Sequence, residues 1–248
     1  MLRELVALSL LHAAAAAFGV DVSSAVSESQ WKCLRSTAGE GATELAVVRI
    51  IRSNGKVDTN GAATIRAAIA AGVEHVHAYI FPCVECGDAG QQVADAVEEL
   101  SGTGYGRLWY DVEPYRWSDD LEANQAFITE MIKAGNDAGV AAGIYSNPSS
   151  WERIVGLKWN YPALAGLSIW YPHYDHDASY NDWRPFGGWG APAIKQYADS
   201  ALACGVTVDF NYFENDRLNQ SRHGGGHTWE PFQQLPSHTV PAAAVRHV

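Results

Sequence analysis

Short apolar runs alternate with amphipathic, helix-like segments through the first 145 residues. Residues 18–23, 46–51, 75–81, 107–113 and 140–145 have the β-branched and aromatic character of buried strands. Ser27-Glu28-Ser29-Gln30 has the spacing of a capping box, as do Asp88 with Gln91 and Asp119 with Glu122, and each opens a helix. Asn60 offers a cap for a helix through Ala71, while Gly72 and Gly139 stand where helices should end. Strand and helix in alternation predict a parallel sheet with helices outside. Beyond residue 145 the pattern changes. Residues 167–170, 193–197 and 206–210 still read as strands, but the Pro-, Gly- and Trp-rich segments between them lack long amphipathic helices. Eight strands, five followed by helices and three by mostly irregular connections, predict a distorted α/β barrel. An open doubly wound sheet would carry a Gly-rich phosphate loop after its first strand, and Asp21-Val22-Ser23-Ser24 is not one, so no nucleotide cofactor is expected.

Such barrels place their chemistry at the carboxyl ends of the strands. Asp21 ends the first predicted strand, Tyr79 lies on the third, Asp111 and Glu113 on the fourth, and Tyr145 on the fifth. Trp170 follows on the sixth, Gln196 and Tyr197 on the seventh, and Asp209 on the eighth. One residue separates Asp111 from Glu113, so strand alternation points both to one side. Taken singly, an Asp-x-Glu is most often a solvated edge and an aromatic most often core. Four acids converging on one bowl are different: they are costly unless paired, and together they raise the pKa of one member. A Glu kept protonated among ionised Asp residues is what a glycosidase needs to protonate a leaving oxygen, and the aromatics suit sugar rings.

A charged start at Met1-Leu2-Arg3-Glu4, an apolar stretch over residues 5–11 and alanines 13–17 have the form of a signal peptide cleaved after Ala17. The expected organisation is a leader over residues 1–17, a catalytic barrel over 18–214 and a flexible, disordered tail over 215–248, in a secreted or lumenal protein, endolysosomal sites included. No other stretch has the length and apolarity to cross a membrane. With 28 acidic and 17 basic residues the net charge is −11, which argues against nucleic acid or an anionic membrane as partner. Cys33, Cys83, Cys86 and Cys204 form an even set, which in an oxidising compartment predicts two disulfides with three possible connectivities. Cys83 with Cys86 and Cys33 with Cys204 are favoured, because closing the barrel brings the first helix near the last strand. Half a zinc site or a redox pair is the competing reading of Cys83-Val84-Glu85-Cys86. No ligand set at the usual spacing completes it, and no metal is expected. His223 and His227 in the tail are read as linker residues.

The segments Gly19-Val20-Asp21-Val22-Ser23, Val48-Arg49-Ile50-Ile51-Arg52, Leu108-Trp109-Tyr110-Asp111-Val112-Glu113, Ile144-Tyr145-Ser146, Ile169-Trp170, Gln196-Tyr197 and Val208-Asp209-Phe210-Asn211 occur in an order and spacing that resemble glycoside hydrolase family 25, the lysozymes that cleave between N-acetylmuramic acid and N-acetylglucosamine. The resemblance implies a flattened, TIM-like barrel of five β/α units plus three strands, acting on bacterial peptidoglycan as a monomer without cofactor. It implies Glu113 as general acid/base and Asp111 as the acid that positions the substrate's N-acetyl group. Asp21 and Asp209 are then floor acids, and Tyr79, Tyr145, Trp170, Gln196 and Tyr197 contact the substrate. Lys195 departs from the pattern, standing where the family often has an aromatic. The Cys83–Cys86 insertion resembles a eukaryotic-type branch. Two other readings remain: a chitin-cleaving glycosidase, against which Trp109 occupies the first acid position of an Asp-x-Asp-x-Glu pattern, and an inactive glycan-binding barrel, against which all four acids are present.

Overall fold

The computed structural model describes residues 16–37 and 41–220. Eight strands close into a barrel in chain order: β1 (Ala16–Val22), β2 (Thr43–Ile51), β3 (His75–Ile80), β4 (Leu108–Asp111), β5 (Ala142–Tyr145), β6 (Ser168–Pro172), β7 (Ile194–Ala203) and β8 (Val206–Glu214). From β1 to β7 each strand runs parallel to the next, but β8 is antiparallel to both β7 and β1. The parallel order breaks at this strand for a local reason. Cys204 and Gly205, at φ +52° and +75°, form a two-residue turn between β7 and β8, and a tight hairpin can only return antiparallel. Asp209 therefore reaches the barrel mouth from the amino-terminal half of β8, in register with Asp21 on β1.

The helices are α1 (Glu28–Thr37), α2 (Gly61–Ala70), α3 (Ala89–Glu99), α4 (Leu121–Asp137), α5 (Pro148–Val155), α6 (Tyr161–Leu164) and α7 (Asn215–Gln220). The capping box of α1 closes reciprocally, with Ser27 N–H donating to Gln30 Oε1 at 3.0 Å and Gln30 N–H to Ser27 Oγ at 3.4 Å. On α3 only half a box forms: Asp88 accepts from Gln91 N–H, while the Gln91 amide turns to Asp95. The cap of α4 is Asp120 rather than Asp119, accepting from the N–H groups of Glu122 and Ala123. Asn60 makes no side-chain cap bond; its own N–H is taken by Asp58, which also holds Arg49 and Arg52.

Inside the barrel Trp109 donates from Nε1 to His77 Nδ1 at 3.2 Å and packs edge-on against Trp170. Gly143 on β5 makes this possible, since a Cβ there would stand 2.3 Å from the Trp109 ring. Where long helices are missing, aromatic rings close the outer wall: Trp151 stacks on Trp159 and meets Trp189 and Phe186 edge-on. Two disulfides form with the expected pairing. Cys33–Cys204 ties α1 to the β7–β8 turn, and Cys83–Cys86 closes the loop after β3. Regular structure reaches past both ends of residues 18–214. β1 takes in Ala16 and Ala17, which pair with Glu214 and Phe213, and the first six residues of the expected tail form α7, whose Leu218 is buried with Phe213. The rest of the expected leader and tail, with His223 and His227, lies outside the described residues.

Candidate active site

The mouth of the barrel opens as a cleft of about 190 Å³ lined by Asp21, Tyr79, Asp111, Glu113, Tyr145, Trp170, Tyr174, Gln196 and Asp209, with Asp199 and Ser200 on the hairpin side. Strand alternation explains most of this set. Trp109 and Asp111 point inward along β4, and Glu113, two residues on and just past the strand end, keeps the same side. The four acids expected to converge do so.

Tyr197 does not join them. The register of β7 against β8 shifts between Gln196 and Ala198, and Tyr197, in that bulge, stacks on Phe210 in a separate cluster with Tyr212. A bulge adds one residue to one strand, so a side chain assigned by alternation can end up elsewhere. Gln196, in contrast, is the hub of the floor. Its Nε2 donates to Asp21 Oδ1 at 2.8 Å and to Asp209 Oδ2 at 3.3 Å, and its Oε1 accepts from the hydroxyls of Tyr145 at 2.7 Å and Tyr174 at 2.9 Å. Asn211 adds a second line of support: Trp170 Nε1 donates to its Oδ1, and its Nδ2 donates to Asp21 Oδ1, both at 2.7 Å. Asn211 was within reach of the sequence, being two residues beyond Asp209 on the same strand face. Tyr174, from the β6–β7 loop, carried no periodic signal.

Burial is the largest influence on every acid of the bowl. It pushes Asp21 well above the ordinary carboxylate range, helped by Asp209 and opposed by the amides of Asn211 and Gln196. Asp111 is likewise raised well above that range by burial, then by Glu113 and Asp21. Glu113 is raised by burial and by Asp209, and Asp209 by burial against the N–H of Ser200. Asp111 Oδ1 is buried with no hydrogen-bond partner among the described residues. The arrangement offers carboxyls that hold their protons above the ordinary carboxylate range, beside a buried Asp111 oxygen with room to accept a hydrogen bond from outside the protein.

Elsewhere, His173, Asp175 and Asp182 have metal-like spacing, but the ammonium of Lys195 already bonds both carboxylates.

The family model described as lysozyme-like protein 1 matches residues 12–197. Lysozyme-like protein 5 of Caenorhabditis elegans is 38% identical over 203 residues, covering 80% of this chain and 92% of that protein. Probable GH family 25 lysozyme 2 of Dictyostelium discoideum is 36% identical over 208 residues, covering 83% and 94%. The family GH25 lysozyme from Aspergillus fumigatus shares the fold, with a TM-score of 0.66 at 15% identity over 84% of this chain and 98% of that one. With the matched region running through the strands that carry Asp21, Asp111 and Gln196, the chain belongs to the family 25 lysozymes and is a glycoside hydrolase.

Proposed function

We propose that the protein is a secreted or lumenal lysozyme that hydrolyses the β-1,4 bond between N-acetylmuramic acid and N-acetylglucosamine in bacterial peptidoglycan, with Glu113 as general acid/base. The observation that carries this reading is the pairing in one aromatic-walled cleft of Glu113, its pKa raised by burial and by Asp209, with an Asp111 whose Oδ1 lacks a partner among the described residues. An acetamido N–H supplies the donor that Oδ1 lacks. Held there, the acetamido oxygen attacks the anomeric carbon as Glu113 gives its proton to the glycosidic oxygen, so the C–O bond breaks and an oxazolinium forms. Glu113, now a carboxylate, takes a proton from water, and that water opens the oxazolinium at the anomeric carbon. Two displacements retain the configuration, a substrate-assisted route outside the two-carboxylate scheme.

The test is release of reducing sugars from purified peptidoglycan by wild type and Glu113→Gln, with chitin in parallel. New muramic-acid reducing ends that fall at least about a thousandfold in the variant support the proposal. Release from chitin alone makes the enzyme a chitinase, and release from neither makes the barrel a glycan binder.

A further inference from the structure

Lys195 is fully buried, at 0% exposure, on the outer side of β7, one residue before the inward-facing Gln196. The β6–β7 loop folds across it. His173 N–H donates to Gln196 O and His176 N–H to Tyr197 O, laying the loop against β7. Lys195 Nζ then donates to Asp175 Oδ2 at 2.8 Å and to Asp182 Oδ1 at 2.7 Å, and His173 Nδ1 bonds Asp182 Oδ2. Between the two anchored residues His173 and Asp175 stands Tyr174. The residue is 46% exposed and lines the cleft, while its hydroxyl reaches Gln196 and Tyr145. Burying an ammonium is costly, and the attraction to its partners need not repay that cost in stability. A reason for Lys195 lies in what it fixes: one loop grips β7 from outside through Lys195 and from inside through Tyr174.

We propose that Tyr174 is a substrate-contacting residue, presenting its exposed face to the pyranose ring of an N-acetylated amino sugar, and that Lys195, through Asp175 and Asp182, is its positioning residue. The inference rests on reading the cleft as a glycan site and extends it with a wall that the four acids do not supply. An aromatic face held in place by its hydroxyl can stack a sugar without rearranging, so loss of the clamp weakens substrate binding and leaves the chemical step alone.

Steady-state kinetics on solubilised peptidoglycan test this in the full chain with Tyr174→Ala, Lys195→Met, their double variant, and Asp182→Asn. Tyr174→Ala is expected to raise KM roughly tenfold with kcat within about threefold, and Lys195→Met to raise KM roughly fivefold. The double variant should be no worse than Tyr174→Ala alone, a non-additivity that a merely structural lysine would not show. Asp182→Asn should follow Lys195→Met in KM with a smaller effect, and it decides the matter if Lys195→Met does not fold. Unchanged KM in Tyr174→Ala, a loss confined to kcat, or multiplying losses in the double variant overturns the inference. Wild type inactive on peptidoglycan, or activity indifferent to Glu113→Gln, sinks the underlying glycan reading instead.

Discussion

Asp111 is 7% exposed and shares its surroundings with Glu113 and Asp21, so burial and these neighbours disfavour its ionised form. A carboxyl with a raised pKa binds more protons folded than unfolded. The stability it contributes is complete below the ordinary carboxylate value and is lost as pH rises through the raised one. Asp111→Asn removes the group that suffers this loss. It should melt higher than wild type at pH 7, by about 1–2 kcal/mol in stability, and show no such gain at pH 3, with hydrolysis strongly reduced at both. Thermal melts at the two pH values check it; a lower melting point at pH 7 means that the carboxylate is compensated after all. At this scale the sequence reveals the acids, because Asp111 and Glu113 obey the two-residue period and Asp21 and Asp209 interrupt apolar strand runs. It misplaces Tyr197, since a bulge leaves no trace in composition, and it is silent on Tyr174, whose loop has no period.

Helix caps and cross-links can be tested one element at a time. Asp120→Ala should cost α4 its two N-terminal hydrogen bonds and the protein about 1 kcal/mol, whereas Asp119→Ala should be near neutral; chemical denaturation of both separates them. Neighbouring acids satisfy the same capping pattern, which is why the sequence locates the start of α4 but not its capping residue. Cys33–Cys204 spans 171 residues, so its loss releases a large loop in the unfolded chain and should cost about 4 kcal/mol. Cys83–Cys86, with a separation of 3, should matter far less. Cys33→Ser with Cys204→Ser should also raise KM, because the clamped hairpin carries Asp199 and Ser200 on the cleft wall. Strand count and order are legible from the apolar runs. The reversed direction of β8 is not, because it depends on left-handed backbone at Cys204, a conformation that non-glycine residues seldom adopt.

Across the whole molecule two sets of carboxylates pull the pH of greatest stability in opposite directions. Burial raises Asp58, Asp175 and Asp182, but their hydrogen bonds to Arg52 and Arg49 or to Lys195 outweigh it and hold them low. Their contribution is present above the ordinary Asp value and lost as pH falls through the depressed one. The bowl acids behave in the reverse sense. Both contributions are present together only at mild acidity, where the net charge of −11 also shrinks. The melting temperature should therefore peak between about pH 4 and 5 rather than at neutrality; a peak above pH 7 contradicts it. The turn at Cys204 and Gly205 has one more outcome. By sending β8 back down the barrel, it brings Glu214 beside Ala16 at the closed end, with Leu218 packed below. Anything joined there, whether a bead, a resin or a carrier protein, would hold the enzyme from behind and leave its mouth facing an insoluble polymer.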